Sequence, residues 1–181
     1  MSKKVLILSG SPRKGGNSDI LCEQFRKGAE EAGNVVEKVD LRSLKIGYCM
    51  ACYGCRGKGV CVQKDDMAQI YPAVRESDVV VLASPLYYWT LSGQLRAAFD
   101  RLFALEEGDG NLLRGHGRGG ALLMAAEGSG FGDVLTYFDH LMEHLRWDNL
   151  GHVLAGGNGD IGDIQGKPEL QQAFQLGASL R

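Results

Sequence analysis

The sequence has no apolar run long enough to cross a bilayer. The longest, Val79–Ala83 and Ala121–Ala126, fall far short of the ~18 residues that a spanning helix needs. Neither sign of charge is in excess: a net charge of −2 and a pI near 6.1 leave no basic field to hold nucleic acid or an anionic membrane. Lys3 and Lys4 precede only four apolar residues before Ser9 and Gly10, so no secretory leader is expected and the expected compartment is the cytoplasm. Repeats, low-complexity tracts and linkers are absent. Hydrolytic machinery has no support either, because neither a G-x-S-x-G elbow nor a Ser-His-Asp order occurs. His140 and His144 stand four apart on an expected helix, but no H-E-x-x-H pattern accompanies them, and Asp139 and Arg146 mark that face as solvated.

What is present fits one globular domain spanning residues 1–181, 44% hydrophobic and 23% charged. Glycine is abundant, 26 residues, and it clusters in 10–16, 54–59, 108–120, 128–132 and 151–166, between apolar runs. Such clusters read as tight turns beside something that the backbone must approach closely. Five cysteines without a secretory leader point to redox chemistry or metal rather than a disulfide framework.

Val5–Leu8 is a continuous apolar run ended by Ser-Gly-Ser-Pro, the pattern of a strand buried on both faces. A helix is expected over Asn17–Ala32, with Leu21, Phe25, Ala29 and Ala32 on one face, then a strand over Val35–Leu41. Asp65 and Asp66 read as caps of a helix running to Glu76. Val79–Ala83 and Gly120–Ala126 are the next strands, separated by a helix capped by Ser92. Val134–Leu145 is a further helix, Leu150–Ala155 a fifth strand, and Pro168 sits early in a last helix. Strict alternation of strand and helix predicts an α/β doubly wound parallel sheet with helices on both faces. Ligands of such sheets sit at the carboxyl ends of the strands. Three unusual loops lie there: 9–18, 84–92 and 127–133.

The first, Gly10-Ser-Pro-Arg-Lys-Gly-Gly-Asn-Ser18, is neither a G-x-G-x-x-G fingerprint nor a Walker A loop, since Gly16-Asn17 stands where Lys-Ser/Thr is required. Ser11, Arg13, Asn17, Ser18 and a helix start suit a single terminal phosphate. The blander alternative is an N-cap serine and a Gly-rich turn that bind nothing. The second loop holds Tyr87, Tyr88 and Trp89 in succession, and three consecutive aromatics cannot all enter a core from one turn. At least one should line a cleft suited to a planar ligand, the alternative being packing beneath the sheet edge. The glycines of Glu127–Gly132 would let a third wall approach a ring edge. Asp100-Arg101 reads as a local ion pair at the end of its helix.

Together, Gly10-Ser-Pro-Arg-x-x-Gly-Asn-Ser18, Ser84-Pro-x-Tyr-x-x-x-x-Ser92-Gly and Phe99-Asp100-Arg101 resemble the NAD(P)H-dependent FMN reductases of flavodoxin-like fold, over about residues 1–155. The resemblance implies a five-stranded sheet in the order 2-1-3-4-5. It implies a cofactor site for FMN drawn from Ser9, Ser11, Arg13, Gly16, Asn17 and Ser18 around the phosphate. Pro85, Leu86, Tyr87, Tyr88, Trp89, Glu127, Gly128 and Gly130 would surround the flavin ring. It also implies NAD(P)H as cosubstrate and a homodimer or homotetramer, for which the apolar face of the Ser92–Phe103 helix is one candidate contact and the chain's own core the plainer account of that face. The chemistry lies on the flavin, so no dedicated acid–base residue is expected.

The loop 47–64 carries Cys49, Cys52, Cys55 and Cys61 as C-x2-C-x2-C-x5-C. Ferredoxin runs begin with the same spacing but place the fourth cysteine after three residues and before proline. Four thiolates at this spacing suit a single 4Fe-4S cluster; zinc, a C-x2-C redox pair and free thiols are the alternatives. With Asp65-Asp66-Met67 trailing it, the loop resembles that of the iron–sulfur flavoprotein branch of the same family. That resemblance implies electron exchange between cluster and FMN, and either a small-molecule acceptor or a ferredoxin-like protein partner. Cys22, beside the apolar face of the first helix, reads as a core thiol.

Overall fold

The computed structural model describes residues 2–180. Val5–Leu8 lies within strand β1 (Lys4–Ser9), and its side chains divide between two cores as the pleat requires. Leu6 and Leu8 join Val80, Leu82, Leu122 and Met124 on one face. Val5 and Ile7 join Val79, Val81, Ala121 and Leu123 on the other. Both faces are therefore covered, which is why these strands read as unbroken apolar runs.

The remaining elements are α1 (Asn17–Glu31), β2 (Val35–Asp40), α2 (Met67–Glu76), β3 (Val79–Pro85), α3 (Gly93–Arg101), α4 (Phe103–Glu106), β4 (Gly119–Ala125), α5 (Gly132–Leu145), β5 (Asp148–Ala155) and α6 (Pro168–Ala178). The strands pair in parallel in the order β2-β1-β3-β4-β5, the order expected of a flavodoxin-like sheet. Leu41, expected to end β2, instead opens a 3-10 turn over Leu41–Ser43. The Ser92-capped helix also divides: α3 stops at Arg101 and the short α4 follows Leu102.

Helices α1 and α6 cover one face, and their crossing depends on two glycines. A Cβ on Gly28 would lie 2.0 Å from the Phe174 carbonyl oxygen, and one on Gly177 would lie 2.1 Å from that of Phe25. No side chain can occupy either position at this separation. On the opposite face Leu95, Ala98 and Leu102 are fully buried in the chain's own core, so the apolar stripe of α3 is occupied internally. Cys22 is likewise fully buried, and burial pushes its thiol up to about 12. Among the described residues, no helix is long and apolar enough to cross a membrane.

Candidate functional site

The carboxyl ends of β1, β3, β4 and β5 surround one cleft of about 270 Å³, close to the lower end of the ~300–1,000 Å³ usual for ligand pockets. Its first wall is the β1–α1 loop. Ser11 Oγ donates to the Arg13 carbonyl at 3.0 Å, and Gly16 N–H donates to the same oxygen at 3.2 Å. Gly15 takes φ +66°, a conformation that favours glycine, and its N–H donates to Asp19 Oδ2 at 2.8 Å. Asp19 in turn pairs with Lys38, which also binds Glu23 at 2.7 Å. Burial works to raise the Asp19 carboxyl, but Lys38, the Gly15 N–H and Arg42 together hold it below the ordinary carboxylate range. Helix α1 begins at Asn17 without a side-chain cap, and Gly16, Asn17 and Ser18 line the cleft with its positive end. Arg13 stands at the mouth, its Nη1 3.4 Å from the Gly159 carbonyl.

The second wall follows β3. Ser84 Oγ donates to the Pro85 carbonyl at 2.7 Å and accepts from Ser92 N at 2.8 Å, while Ser92 Oγ donates to the Gly10 carbonyl at 2.8 Å. The aromatic loop is thereby tied to the β1–α1 loop. Tyr87 and Thr90 exchange backbone hydrogen bonds of 3.0 and 3.1 Å across a two-residue turn. The central residues, Tyr88 and Trp89, both sit at positive φ, +47° and +61°. Turns of this kind usually take Asn and Gly, and bulky side chains there are strained. Pro85, Leu86 and Tyr87 line the cleft, whereas Tyr88 is 92% exposed and Trp89 60%.

Glu127 lines the cleft at the end of β4; Gly128 and Gly130 lie outside its lining, and Gly130 backs against the Trp89 indole. Ser9 sits behind the lining, fully buried, with a hydroxyl that has no partner among the described residues. A fourth wall, Asn158 and Gly159 after β5, was not expected from the sequence. Its only signal is the glycine cluster at 151–166. Asn17 holds it: Nδ2 donates to the Asn158 and Asp160 carbonyls at 3.4 and 2.7 Å, and Oδ1 accepts from Gly162 and Ile164 N–H at 3.0 and 3.4 Å. All four polar valences of that amide are thus occupied by protein. Lys167 Nζ adds bonds to the Gly156 and Gly157 carbonyls at 3.1 and 2.7 Å. Asn158 Oδ1 is buried without a partner among the described residues.

The four thiols of the 47–64 loop are not drawn together in this way. Cys49 and Cys52 are exposed, Cys61 is half-buried and Cys55 is buried. Burial, with smaller contributions from Cys61, Glu107 and Cys49, pushes the Cys55 thiol up. Among the described residues no three His, Cys, Asp or Glu side chains form a metal-binding group. The donor set itself, four soft thiols on one loop, fits a tetrathiolate-bound iron–sulfur group or zinc. Asp100 does not pair with Arg101. It pairs with Arg96 at 3.2 Å, one helical turn back, while the Arg101 side chain turns inward to Asp65. His144 contacts Glu106 at 3.1 Å and Asp139 accepts from Asn149, in keeping with a solvated face.

The model of the NADPH-dependent FMN reductase family matches residues 3–159. The chain belongs to that family, and it is a flavin oxidoreductase. An iron-sulfur flavoprotein of Archaeoglobus fulgidus is 36% identical over 98% of the chain and 78% of its own length. One of Methanosarcina thermophila is 30% identical over 91% and 83%. Among solved structures, an azoreductase from Bacillus anthracis superimposes with a TM-score of 0.75 at 20% identity, over 98% of this chain and 99% of that one. An NAD(P)H:quinone oxidoreductase from Methanothermobacter marburgensis gives 0.70 at 18%, over 99% and 98%. At these identities the two superpositions speak for the fold.

Proposed function

We propose that residues 1–181 act as one FMN-binding domain, with the phosphate on the start of α1 and the flavin ring against Pro85–Tyr87. One observation carries this reading: the uncapped helix start, Arg13, Ser11 and Ser18 share a single cleft with an apolar Pro-Leu-Tyr wall. A dianion at the helix start is favoured by its dipole and by charge-assisted bonds from Arg13. Asn158 Oδ1, in the lining, is buried without a partner among the described residues, as a polar atom at the margin of an occupied site would be. Glu127 closes the side of β4, and Asn17 keeps the Asn158–Gly159 wall in place. Tyr88 and Trp89 form the outer lip, backed by Gly130.

FMN held there by Ser11, Arg13, Ser18 and the Pro85–Tyr87 wall would supply the redox chemistry that links NAD(P)H to a small-molecule acceptor. Cys49, Cys52, Cys55 and Cys61 would hold a 4Fe-4S cluster, which would divide the two-electron chemistry into single-electron steps. A second reading follows from the four-cysteine loop, exposed at Cys49 and Cys52, and from the iron–sulfur flavoprotein relatives: an electron carrier reduced by a ferredoxin-like protein, without NAD(P)H activity. Assembly as a homodimer or homotetramer in the cytoplasm belongs to either reading. Anaerobic stopped flow separates them. Rapid bleaching of the flavin by NADPH supports the reductase; no bleaching, with reduction by ferredoxin, supports the carrier.

A further inference from the structure

We propose that Arg101 is the positioning residue of the cysteine loop: it closes the loop's neck and fixes it to the helix that supports the phosphate loop. Arg101 is the largest fully buried side chain among the described residues, 1% exposed. A buried guanidinium needs a paired charge and partners for its donors. The two feet of the loop supply the charge and three hydrogen bonds, while Nε–H has no partner among the described residues. Nη1 and Nη2 grip the two oxygens of Asp65 at 2.8 and 3.1 Å, and Nη1 also donates to the Gly47 carbonyl at 2.9 Å. Asp65 completes the ring by accepting from Gly47 N at 2.9 Å and from Met67 N at 3.2 Å. One ion pair therefore joins the residue that enters the loop, the residue that leaves it and the first residue of α2.

The neck is continued outward by Gln63 Nε2 donating to the Tyr48 carbonyl at 3.1 Å, and inward by Lys45 and Asp66. Lys45 N donates to Asp66 Oδ2 at 2.6 Å and Asp66 N to the Lys45 carbonyl at 3.2 Å. From α2, the Tyr71 hydroxyl donates to the Arg101 carbonyl at 3.3 Å. At the far end of α3, about 13 Å away at 1.5 Å per residue, Ser92 holds the Gly10 carbonyl. A rigid helix with the phosphate loop on its first turn and the cysteine loop on its last fixes the two relative to each other. A bidentate fork is the geometry that only arginine supplies. The functional weight of this arrangement rests on reading the loop as a redox element, but the clamp does not require bound flavin or metal.

The test is amide hydrogen exchange on the full chain, read residue by residue. In wild type, the Gly47 and Met67 amides should exchange slowly, like those of the sheet and unlike the exposed loop amides between them. In Arg101→Gln and in Asp65→Asn, both should lose about tenfold or more of that protection while β1, β3 and β4 keep theirs. Arg101→Lys, which retains the charge without the fork, should recover part of it. Gly47 and Met67 amides that exchange as fast as the loop in wild type overturn the proposal. So does unchanged protection in both variants. If Arg101→Gln does not fold, the wild-type exchange and Asp65→Asn decide. Failure to bind FMN with the neck protected would remove the flavin reading and leave the clamp intact.

Discussion

The β1–α1 loop, residues 10–18, is tied by hydrogen bonds within itself and to two neighbouring loops, whereas the cysteine loop, residues 47–64, is fixed at its neck and along its second half, where Cys55 is buried and Tyr53 packs edge-on against Phe103. The first is bound internally by Ser11 and Gly16, from behind by Asp19, and to neighbouring loops through Ser92 and Asn17. The second is held at Gly47 and Asp65 by Arg101, and beyond α4 by Gly57 N to the Glu107 carbonyl at 2.8 Å and Arg56 to Glu107 at 3.2 Å. Between those points Cys49 and Cys52 are exposed. The contrast teaches that the cleft loop is held by the side chains of Ser11, Asp19, Ser92 and Asn17 together with the backbone, whereas the cysteine loop is held at its neck and second half and leaves Cys49 and Cys52 at the surface.

The sharpest break between the two regions should come from Cys55→Ser. Anaerobically prepared protein should lose all broad iron–sulfur absorbance and still bind FMN; loss of both would mean that the regions are not separable. Next in size is Arg13→Ala. Removing a charge-assisted phosphate contact of about 1.5–3 kcal/mol should weaken FMN roughly 10- to 150-fold and leave riboflavin nearly unchanged. Asn17→Ala should weaken FMN and riboflavin together, several-fold each, because its amide holds the Asn158–Gly159 wall. A loss confined to FMN would make Asn17 a direct phosphate ligand.

A smaller effect concerns pH. Asp19 titrates below its ordinary value in the folded chain, so its contribution is complete above the ordinary carboxylate range and is lost as pH falls through the depressed value. The folding stability that Asp19 contributes should therefore be level from neutral pH to that range and drop beneath it, and Asp19→Asn should flatten the drop, as read by urea denaturation at each pH. The smallest effect is expected at the outer lip. Tyr88→Ala, at a side chain 92% exposed, should change FMN affinity by no more than about twofold, less than Tyr87→Ala, as measured by flavin fluorescence titration.

Much of this was legible in the sequence, for a physical reason. Strands buried on both faces must be apolar throughout, so β1, β3 and β4 announce themselves, and the loop that follows each strand is then located by counting. Ser11, Arg13 and Ser18 lie within nine residues of one another, and Pro85 to Tyr87 are consecutive, so each group is local. The rest depends on pairings that only the folded chain creates. Asn17 meets Asp160 across 143 residues, and Arg101 meets Asp65 across 36 instead of its neighbour Asp100. Side-chain direction on a helix decides such partners, and sequence adjacency does not. The tip of the aromatic loop was readable as unusual but not as a left-handed turn, because Tyr-Trp is not a composition that signals one.

Equilibrium titration of flavin-free protein with FMN tests the central claim most directly. Uptake of one FMN per chain, competed by inorganic phosphate and at least about tenfold tighter than riboflavin, is the result predicted. No uptake with FMN in large excess, or equal affinity for FMN and riboflavin, would contradict it.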